Sequence, residues 1–410
     1  MPKSPYRIVL VGTSFRTAPL EIRERLSRSV NATSLQNYLT SKRNEESFAL
    51  LSTCNRIEIY ACTEDAKSTE KLLRNYLVRM EGDAGRYLYG FLDGEAIEQI
   101  IRVACGMDSM VLGEPQILLQ VKHAKTLTRN RSGSIITELI HHAYTAGSRI
   151  RRDVRIDATY SIGSAAADLI LSKLDRKPNL LIIGGGKMAK STVKELRRDK
   201  FGEIHIANRT PSKARSAEFK GISIHPLPQA QALLSRVDAV ITATSASRYV
   251  VTAETLKDRK KGKRLILVDI SIPRNVDPNL AEFPNLEIYN IDDLSPHIKT
   301  TLSHEQIDTA QQMIIEEAKK FSAELLALEM APVIRSVRTR AEEIRQQETQ
   351  KALKRLSGVK ERDVEVLTAL SSHIVNRLLH EPTARMREHA KNGDAEEYGR
   401  VFRDLFGLDD

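Results

Sequence analysis

Residues Pro178 to Lys190 read PNLLIIGGGKMAK: an apolar run of strand length, three glycines, and the opening of a helical pattern. Strand, glycine turn and helix in that order begin a βαβ unit. Within the stretch, Gly184-x-Gly186-x-x-Ala189 has the spacing of a dinucleotide-binding loop. The glycines allow a tight turn and close backbone approach, and the helix N-terminus offers amides and a positive dipole end to a pyrophosphate. Gly184, Gly185, Gly186, Lys187, Met188 and Ala189 are therefore candidate cofactor contacts. At the end of the next strand-like run an NAD site would carry an acid for the ribose hydroxyls; this chain reads IANRT. Asn208, Arg209 and Thr210 suit the additional phosphate of NADPH, which an acid would repel. A unit of this kind holding another nucleotide, or none, is the alternative reading.

Working outward, EIHIANRT, DAVITATS, RLILVDISIP and LEIYNIDDL recur at βαβ spacing, so a doubly wound sheet is expected from about Pro178 to Leu294. Before it, the strand-like YRIVLVGT and SFALLSTCNRIEIYACT alternate with helix-like segments such as PLEIRERLSR, which predicts an α+β unit. Its closing part, Ile117 to Ile150, reads as mainly helical. After Pro296 no glycine occurs until Gly358, and Pro332 is the only proline before Pro382, so Leu302 to Leu356 reads as one long helix, kinked or straight. Ile314, Ala318, Phe321, Leu325 and Leu328 make a narrow apolar seam by 4,3,4,3 spacing, and Val337, Ala341 and Ile344 continue it. The seam packs either on the chain's own last helices, VEVLTALSSHIVNRLLH, or on a second copy; the length of the helix favours a homodimer. The expected fold class is multidomain α/β. Its parts are an N-terminal α+β catalytic domain over residues 1–157, a doubly wound Rossmann-type NADP domain over 158–296, and a C-terminal long-helix dimerisation domain over 297–410.

Composition narrows the function classes. A chain of 410 residues, 41% hydrophobic and 28% charged, has material for several cores, and no apolar run is long enough to span a bilayer. MPKSPYRIVLVGTS reads as a first strand and not as a signal peptide, so a cytoplasmic location without membrane attachment is expected. Three unpatterned cysteines, Cys54, Cys62 and Cys105, argue against disulfides and against a metal site. The net charge of +10 fits a polyanionic partner, and Val121 to Tyr160 holds eight basic residues against three acidic. That run is either a solvated helical face or a phosphate-backbone surface.

A thiol beside a hydride carrier suggests acyl chemistry. Thiolate attack on an activated acyl group forms a thioester, a better hydride acceptor than an ordinary ester. Cys54, in LLSTCNRIEIY, has Asn55, Arg56 and Glu58 around it, and Arg56 is suited to lowering its pKa or holding a substrate carboxylate. Cys62 and Cys105 read as packing thiols, and for Cys54 itself a packing role stands beside the catalytic one.

STCNRIEIY (Ser52 to Tyr60), followed by GMDSMVLGEPQIL (Gly106 to Leu118), resembles glutamyl-tRNA reductase. The resemblance continues through AGSRIRRDVRI, GGGKMA, IANRT, VDISIPRNVDP, YNIDDL and SSHIVNRLLHEP, nearly the whole chain. It implies NADPH-dependent reduction of the glutamyl group of glutamyl-tRNA to glutamate-1-semialdehyde, the first step of 5-aminolevulinate and tetrapyrrole synthesis. It also implies a V-shaped homodimer, with glutamate-1-semialdehyde aminotransferase as a candidate docking partner. By the family pattern Cys54 is the nucleophile, Thr53, Asn55 and Arg56 frame the glutamyl group, and Ser109, Glu114, Pro115, Gln116 and Gln120 form a second substrate segment. Four positions depart from that pattern. Gln99 stands where the family usually has a catalytic histidine, Leu119 where glycine is common, Lys187 for a glutamate and Glu324 for a tryptophan. Gln99 cannot titrate near neutrality, so acid/base help there is in question, and Leu119 is expected to narrow the pocket. Two other readings remain: a divergent low-activity paralogue binding tRNA or NADPH for regulation, and an NADP-dependent reductase of a small acyl donor.

Overall fold

The structure is a computed structural model of the full chain, and it describes residues 6–42, 47–53, 55–127, 132–156, 160–211, 219–244, 246, 248–259, 262–300, 302–356, 360–390 and 395–408. The N-terminal unit is built from β1 (Arg7–Ser14), α1 (Leu20–Ser29), α2 (Ala32–Ser41), β2 (Ser47–Ser52), β3 (Arg56–Thr63), α3 (Ala66–Met80), β4 (Tyr89–Leu92), α4 (Gly94–Cys105), α5 (Pro115–Lys122), β5 (Lys125–Leu127) and α6 (Ser132–Asp153). Its five strands form one antiparallel sheet in the order β4-β1-β3-β2-β5. Side chains alternate across a strand, so β1 sends Val9 and Val11 to a core with α1, α2 and α3, and Ile8 and Leu10 to a core with α4 and α6. Both faces are covered, which is why β3 is buried at every position. The strand β5 breaks the segment expected to be mainly helical: Lys125 pairs with Leu50 on the edge of β2 before α6 begins.

The second unit comprises α7 (Ile162–Lys173), β6 (Leu180–Ile183), α8 (Lys187–Glu195), β7 (Ile204–Asn208), β8 (Ser223–Pro226), α9 (Ala230–Leu234), β9 (Ala239–Thr242), β10 (Leu265–Asp269) and β11 (Leu286–Asn290). All neighbouring strands are parallel, in the order β8-β7-β6-β9-β10-β11. Chain direction across the sheet reverses between β6 and β9, the switch point where such sheets bind nucleotides. β8 escaped the sequence reading because it is four residues long, outermost and only half-buried, leaving no apolar run.

The two units touch directly. Leu20 and Val111 of the first enter the core of the second beside β10. Glu24 on α1 accepts from the backbone N–H and Nε of Arg274, at 2.9 and 2.8 Å, and buried Arg23 pairs with Asp292.

The third unit is α10 (His304–Arg355), α11 (Glu361–His389) and α12 (Ala395–Leu405). α10 is one helix through Pro332, about 78 Å long at 1.5 Å per residue. Its seam divides, contrary to the expectation of a continuous dimer contact. Ile314, Ala318, Phe321 and Leu325 pack into the N-terminal core with α4 and α6, where the His142 and Phe321 rings lie 5.1 Å apart. Farther along, Met330, Val333 and Ile334 pack on Met386 of α11, Ala390 just after α11, and Phe402 of α12. The side chain of Leu328 is outside the described residues, and Glu324 is exposed. Of the seam's continuation, Val337 is buried and Ile344 is 51% exposed; apolar surface is also left open on α11, where Val366, Leu370, Ile374 and Leu378 recur every four residues, with Leu378 69% exposed. No described helix is long and apolar enough to cross a membrane.

These two apolar sets predict different losses. Phe321→Ala removes a side chain 3% exposed and lowers stability by about 3–5 kcal/mol, measured by denaturant unfolding, with the association state unchanged. Leu378→Glu leaves the folded chain intact and shifts sedimentation toward monomer.

Candidate active site

β2 ends at Ser52 and β3 begins at Arg56, so Thr53 and Asn55 lie between the two strands of a hairpin while Arg56 and Glu58 belong to β3. The N–H of Thr53 donates to the carbonyl of Arg56 at 2.9 Å, and Thr53 Oγ1 accepts from the N–H groups of Asn55 and Arg56, each at 3.1 Å. Cys54 lies outside the described residues. The turn on either side of it is held from outside by the Phe15 N–H on the carbonyl of Asn55 (2.8 Å) and by Arg23 Nη1 on Asn55 Oδ1 (3.4 Å). Cys62 and Cys105 are both fully buried in the core facing α4 and α6. Burial pushes the Cys105 thiol up to about 12 against the pull of Arg151 and Arg102, so that thiol stays protonated.

Arg56 sits beneath the turn with its side chain 1% exposed. Nη1 reaches Glu58 Oε1 at 2.8 Å and Asp108 Oδ2 at 2.9 Å, and Nη2 donates to the Asp108 carbonyl. Expected to face the thiol or a substrate carboxylate, this guanidinium is turned inward onto two carboxylates. Glu58 also accepts from Tyr60 (2.7 Å), Tyr89 (2.6 Å) and Gln99 Nε2 (3.3 Å). The same Gln99 nitrogen donates to Asp108 at 2.9 Å, and Arg16, more than half exposed, donates to Asp108 at 2.7 Å. Burial alone would raise the Asp108 carboxyl, but Arg56, Gln99 and Arg16 together hold it below the ordinary carboxylate range. Burial opposes a charge on Arg56 as well, and Glu58 and Asp108 more than restore it. Gln99 thus occupies a place where any side chain meets two carboxylates.

The second substrate segment begins where α4 ends. Gly106 caps that helix at φ +76°, and a Cβ there would meet Gly113 and Glu114 at 3.0–3.1 Å. Arg151 of α6 holds the returning loop by donating to the carbonyls of Cys105 (3.0 Å), Gly113 (2.8 Å) and Glu114 (3.3 Å). Ser109 is buried beside Asp108, and Pro115 is exposed as the first residue of α5. Burial raises the Glu114 carboxyl, Arg151 opposes the rise, and Glu195 of the second unit adds to it. Gln116 and Gln120, one turn apart on α5, point at the second unit; Leu119, 49% exposed between them, does not line the cleft they share with it.

That cleft, about 500 Å³, runs from Gln116 and Gln120 over Gly184, Gly185, Gly186 and Met188 to Asn208, Arg209 and Thr210, at the switch point. Gly184 has φ +126°, and a Cβ there would lie 2.3 Å from the carbonyl of Ala243 at the end of β9. A Cβ on Gly186 would meet nothing within 4 Å, so the loop faces open space where α8 begins. Asn208 Nδ2 donates to the Thr210 carbonyl at 2.9 Å, shaping the turn from which Arg209 projects. Ala189 departs from the expected lining: it is fully buried beneath α8. The Lys187 side chain is outside the described residues. Among the described residues no carboxylate lines the cleft.

Thr244 and Ser271 also line it, and sequence reasoning missed both. Asp269, buried, accepts from the N–H groups of Ser271 (3.0 Å), Asn275 (2.6 Å) and Val276 (2.8 Å), which folds the chain after β10 back over the switch point. Parts of the basic run are used by the fold: Arg151 as above, and Arg149 against Glu317 of α10. Lys125, Arg152 and Arg155 remain exposed, whereas Arg129 and Arg131 lie outside the described residues.

Family models match the chain in three blocks: Glutamyl-tRNAGlu reductase, N-terminal domain, over residues 11–154; Shikimate / quinate 5-dehydrogenase over 166–297; and Glutamyl-tRNAGlu reductase, dimerisation domain, over 309–408. Glutamyl-tRNA reductase of Carboxydothermus hydrogenoformans is 35% identical over 98% of this chain and 93% of its own length. That of Synechococcus sp. (strain JA-3-3Ab) is 34% identical over 98% and 97%. A solved structure, glutamyl-tRNA reductase from Methanopyrus kandleri, aligns over 97% of this chain and 98% of its own at 25% identity and a TM-score of 0.44.

The network beneath the turn is expected to respond to charge loss. Arg56→Met leaves Glu58 and Asp108 buried without their shared cation and costs about 3–5 kcal/mol in denaturant unfolding at neutral pH. Because the Asp108 value is depressed by folding, its contribution is present above the ordinary 3.8 and lost as pH falls below it. Asp108→Asn therefore flattens the acid limb of stability against pH.

Proposed function

Since the chain belongs to the glutamyl-tRNA reductase family, we propose that it reduces the glutamyl group of glutamyl-tRNA with NADPH to glutamate-1-semialdehyde, the first step of tetrapyrrole synthesis. The observation that carries the reading is the cleft itself, whose glycine loop and Arg209 belong to the nucleotide unit and whose facing wall, Gln116 and Gln120, belongs to the substrate segment. A cofactor held there would lie against the N-terminal unit.

The residues present fit NADPH: a glycine loop with open space before α8, and a cationic end to β7 with no carboxylate among the described lining. When bound, NADPH supplies a hydride to an acyl carbon. The protein's own steps begin at Cys54. Its thiolate attacks the glutamyl carbonyl, the C–O bond to the terminal ribose breaks, and the ribose hydroxyl leaves with a proton. The resulting thioester awaits reduction, after which the C–S bond breaks and the thiolate is restored. Cys54 takes this role because Cys62 and Cys105 are sealed in the core. Thr53 and Asn55 fix the turn, Arg56 supports it from beneath, and Ser109 and the Glu114 carboxyl stand ready for the substrate's polar groups. Gln99 orients by donating to Glu58 and Asp108 and moves no proton.

The units divide as residues 1–157 for catalysis, 158–296 for NADPH and 297–410 for association. A homodimer forms through the apolar stripe of α11. The protein acts in the cytoplasm, where glutamyl-tRNA is available.

Incubated with glutamyl-tRNA and no NADPH, the parent protein is expected to carry a glutamyl adduct on Cys54 by mass spectrometry, and Cys54→Ser to carry none. An adduct on Cys62 or Cys105 would transfer the nucleophile. Free glutamyl phosphate as the better donor would instead favour a small-acyl reductase.

Gln99→His tests the missing acid. Two neighbouring carboxylates favour the protonated imidazole, so the introduced histidine is expected to titrate above its ordinary value and stay charged near neutrality. Single-turnover reduction should then rise about 10²-fold at neutral pH and depend less on pH. An unchanged rate in an already fast protein would place the acid elsewhere.

A further inference from the structure

A dinucleotide has two ends, and the cleft already described accounts for one. With the reacting end toward Gln116 and Gln120, the remainder must leave past Arg209, the residue where that cleft meets a second cavity. The second cavity, about 560 Å³, is lined by Arg209, Leu227, Pro228, Gln231, Arg248 and Tyr249 among others. We propose that it receives the adenosine end of the cofactor and that Arg248 joins Arg209 in binding its 2′-phosphate. The proposal rests on the NADPH reading above.

Three observations carry it. First, Arg209 and Arg248 come from different elements, the end of β7 and the loop after β9, yet border one cavity whose described lining holds no carboxylate. Two like charges facing a common space repel unless an anion lies between them, and a phosphate dianion accepts from two guanidinium forks. Second, neither side chain makes a hydrogen bond or ion pair among the described residues, whereas Arg16, Arg23, Arg56, Arg149 and Arg151 are all engaged. Third, the Arg248 backbone is held in place. Asn275 Nδ2 donates to its carbonyl (3.4 Å) and to that of Ala246 (3.0 Å), and Asn275 is anchored through its own N–H to Asp269 at 2.6 Å. The loop that carries Arg248 is thereby tied to the switch point at which the cofactor lies. Leu227, Pro228 and the Tyr249 ring supply apolar surface for the base.

The test is calorimetric titration of the full chain with NADPH, NADH, 2′,5′-ADP and 5′-AMP, with thermal unfolding to confirm that each variant is folded. Arg248→Gln is expected to weaken NADPH and 2′,5′-ADP about tenfold to a hundredfold while leaving NADH and 5′-AMP unchanged; Arg248→Lys should recover part of the loss. Equal weakening of all four ligands, or none, overturns the assignment. A parent protein that binds 2′,5′-ADP no better than 5′-AMP overturns the NADPH reading with it. Preference lost in Arg209→Gln but kept in Arg248→Gln removes Arg248 alone.

Discussion

The Arg56 guanidinium, buried between Glu58 and Asp108, is the contact on which the N-terminal unit is assembled. It joins β3, to which both Arg56 and Glu58 belong, to the distant loop between α4 and α5 that carries Asp108. Arg16 adds the loop after β1, and Gln99 adds α4 itself. A buried ionic cluster of this kind is poor evidence of net stability, because desolvation offsets most of the Coulomb attraction. Its effect is on geometry. The arrangement that satisfies both carboxylates has Thr53 and Asn55 just before Arg56 and Ser109 next to Asp108.

A second carboxylate does comparable work in the nucleotide unit. Asp269 accepts from the N–H groups of Ser271, Asn275 and Val276 and from the hydroxyl of Thr242 (2.6 Å), which ties the loop after β10 to the end of β9. The N-terminal unit meets this rim through α1, where Arg23 spans from Asn55 to Asp292 and Glu24 grips Arg274. The same short helix therefore touches the cysteine turn and the nucleotide unit. In the reaction proposed above, which needs an acyl group and a hydride donor in contact, such a helix would couple the position of one to the other.

The long helix shows how one periodic pattern serves several contacts. Over Ile314 to Leu325 the apolar stripe completes the N-terminal core, and over Met330 to Ile334 it meets α11 and α12. Heptad-like spacing identifies an apolar face but carries no information about what covers it, since any apolar partner of suitable shape gains the same burial. Apolar surface open to a second copy is found at Ile344 of α10 and on α11, whose residues Val366 to Leu378 repeat every four positions and remain open to solvent.

Local pattern was enough for most of the elements and for the glycine turn before α8, though not for the short strands β5 and β8. Strand, glycine turn and helix at Pro178 to Lys190 depend on φ/ψ freedom and side-chain periodicity, both written residue by residue, and Gly184 is confined by its own φ of +126° as much as by Ala243. The IANRT segment likewise declared a cationic strand end, and STCNRIEIY a polar group beside a strand. What tertiary structure decided was the direction of the side chains. Arg56 reads the same in sequence whether it faces a substrate or Glu58 and Asp108; only the packing of β3 against α4, 52 positions separating Arg56 from Asp108, turns it inward. Arg23 and Asp292 stand 269 positions apart, and Arg209 and Arg248 share a cavity only after β7 and β9 are laid on either side of β6. Charges act through space and periodicity acts along the chain, so the chain by itself determined the parts, and the fold determined which of their charges meet.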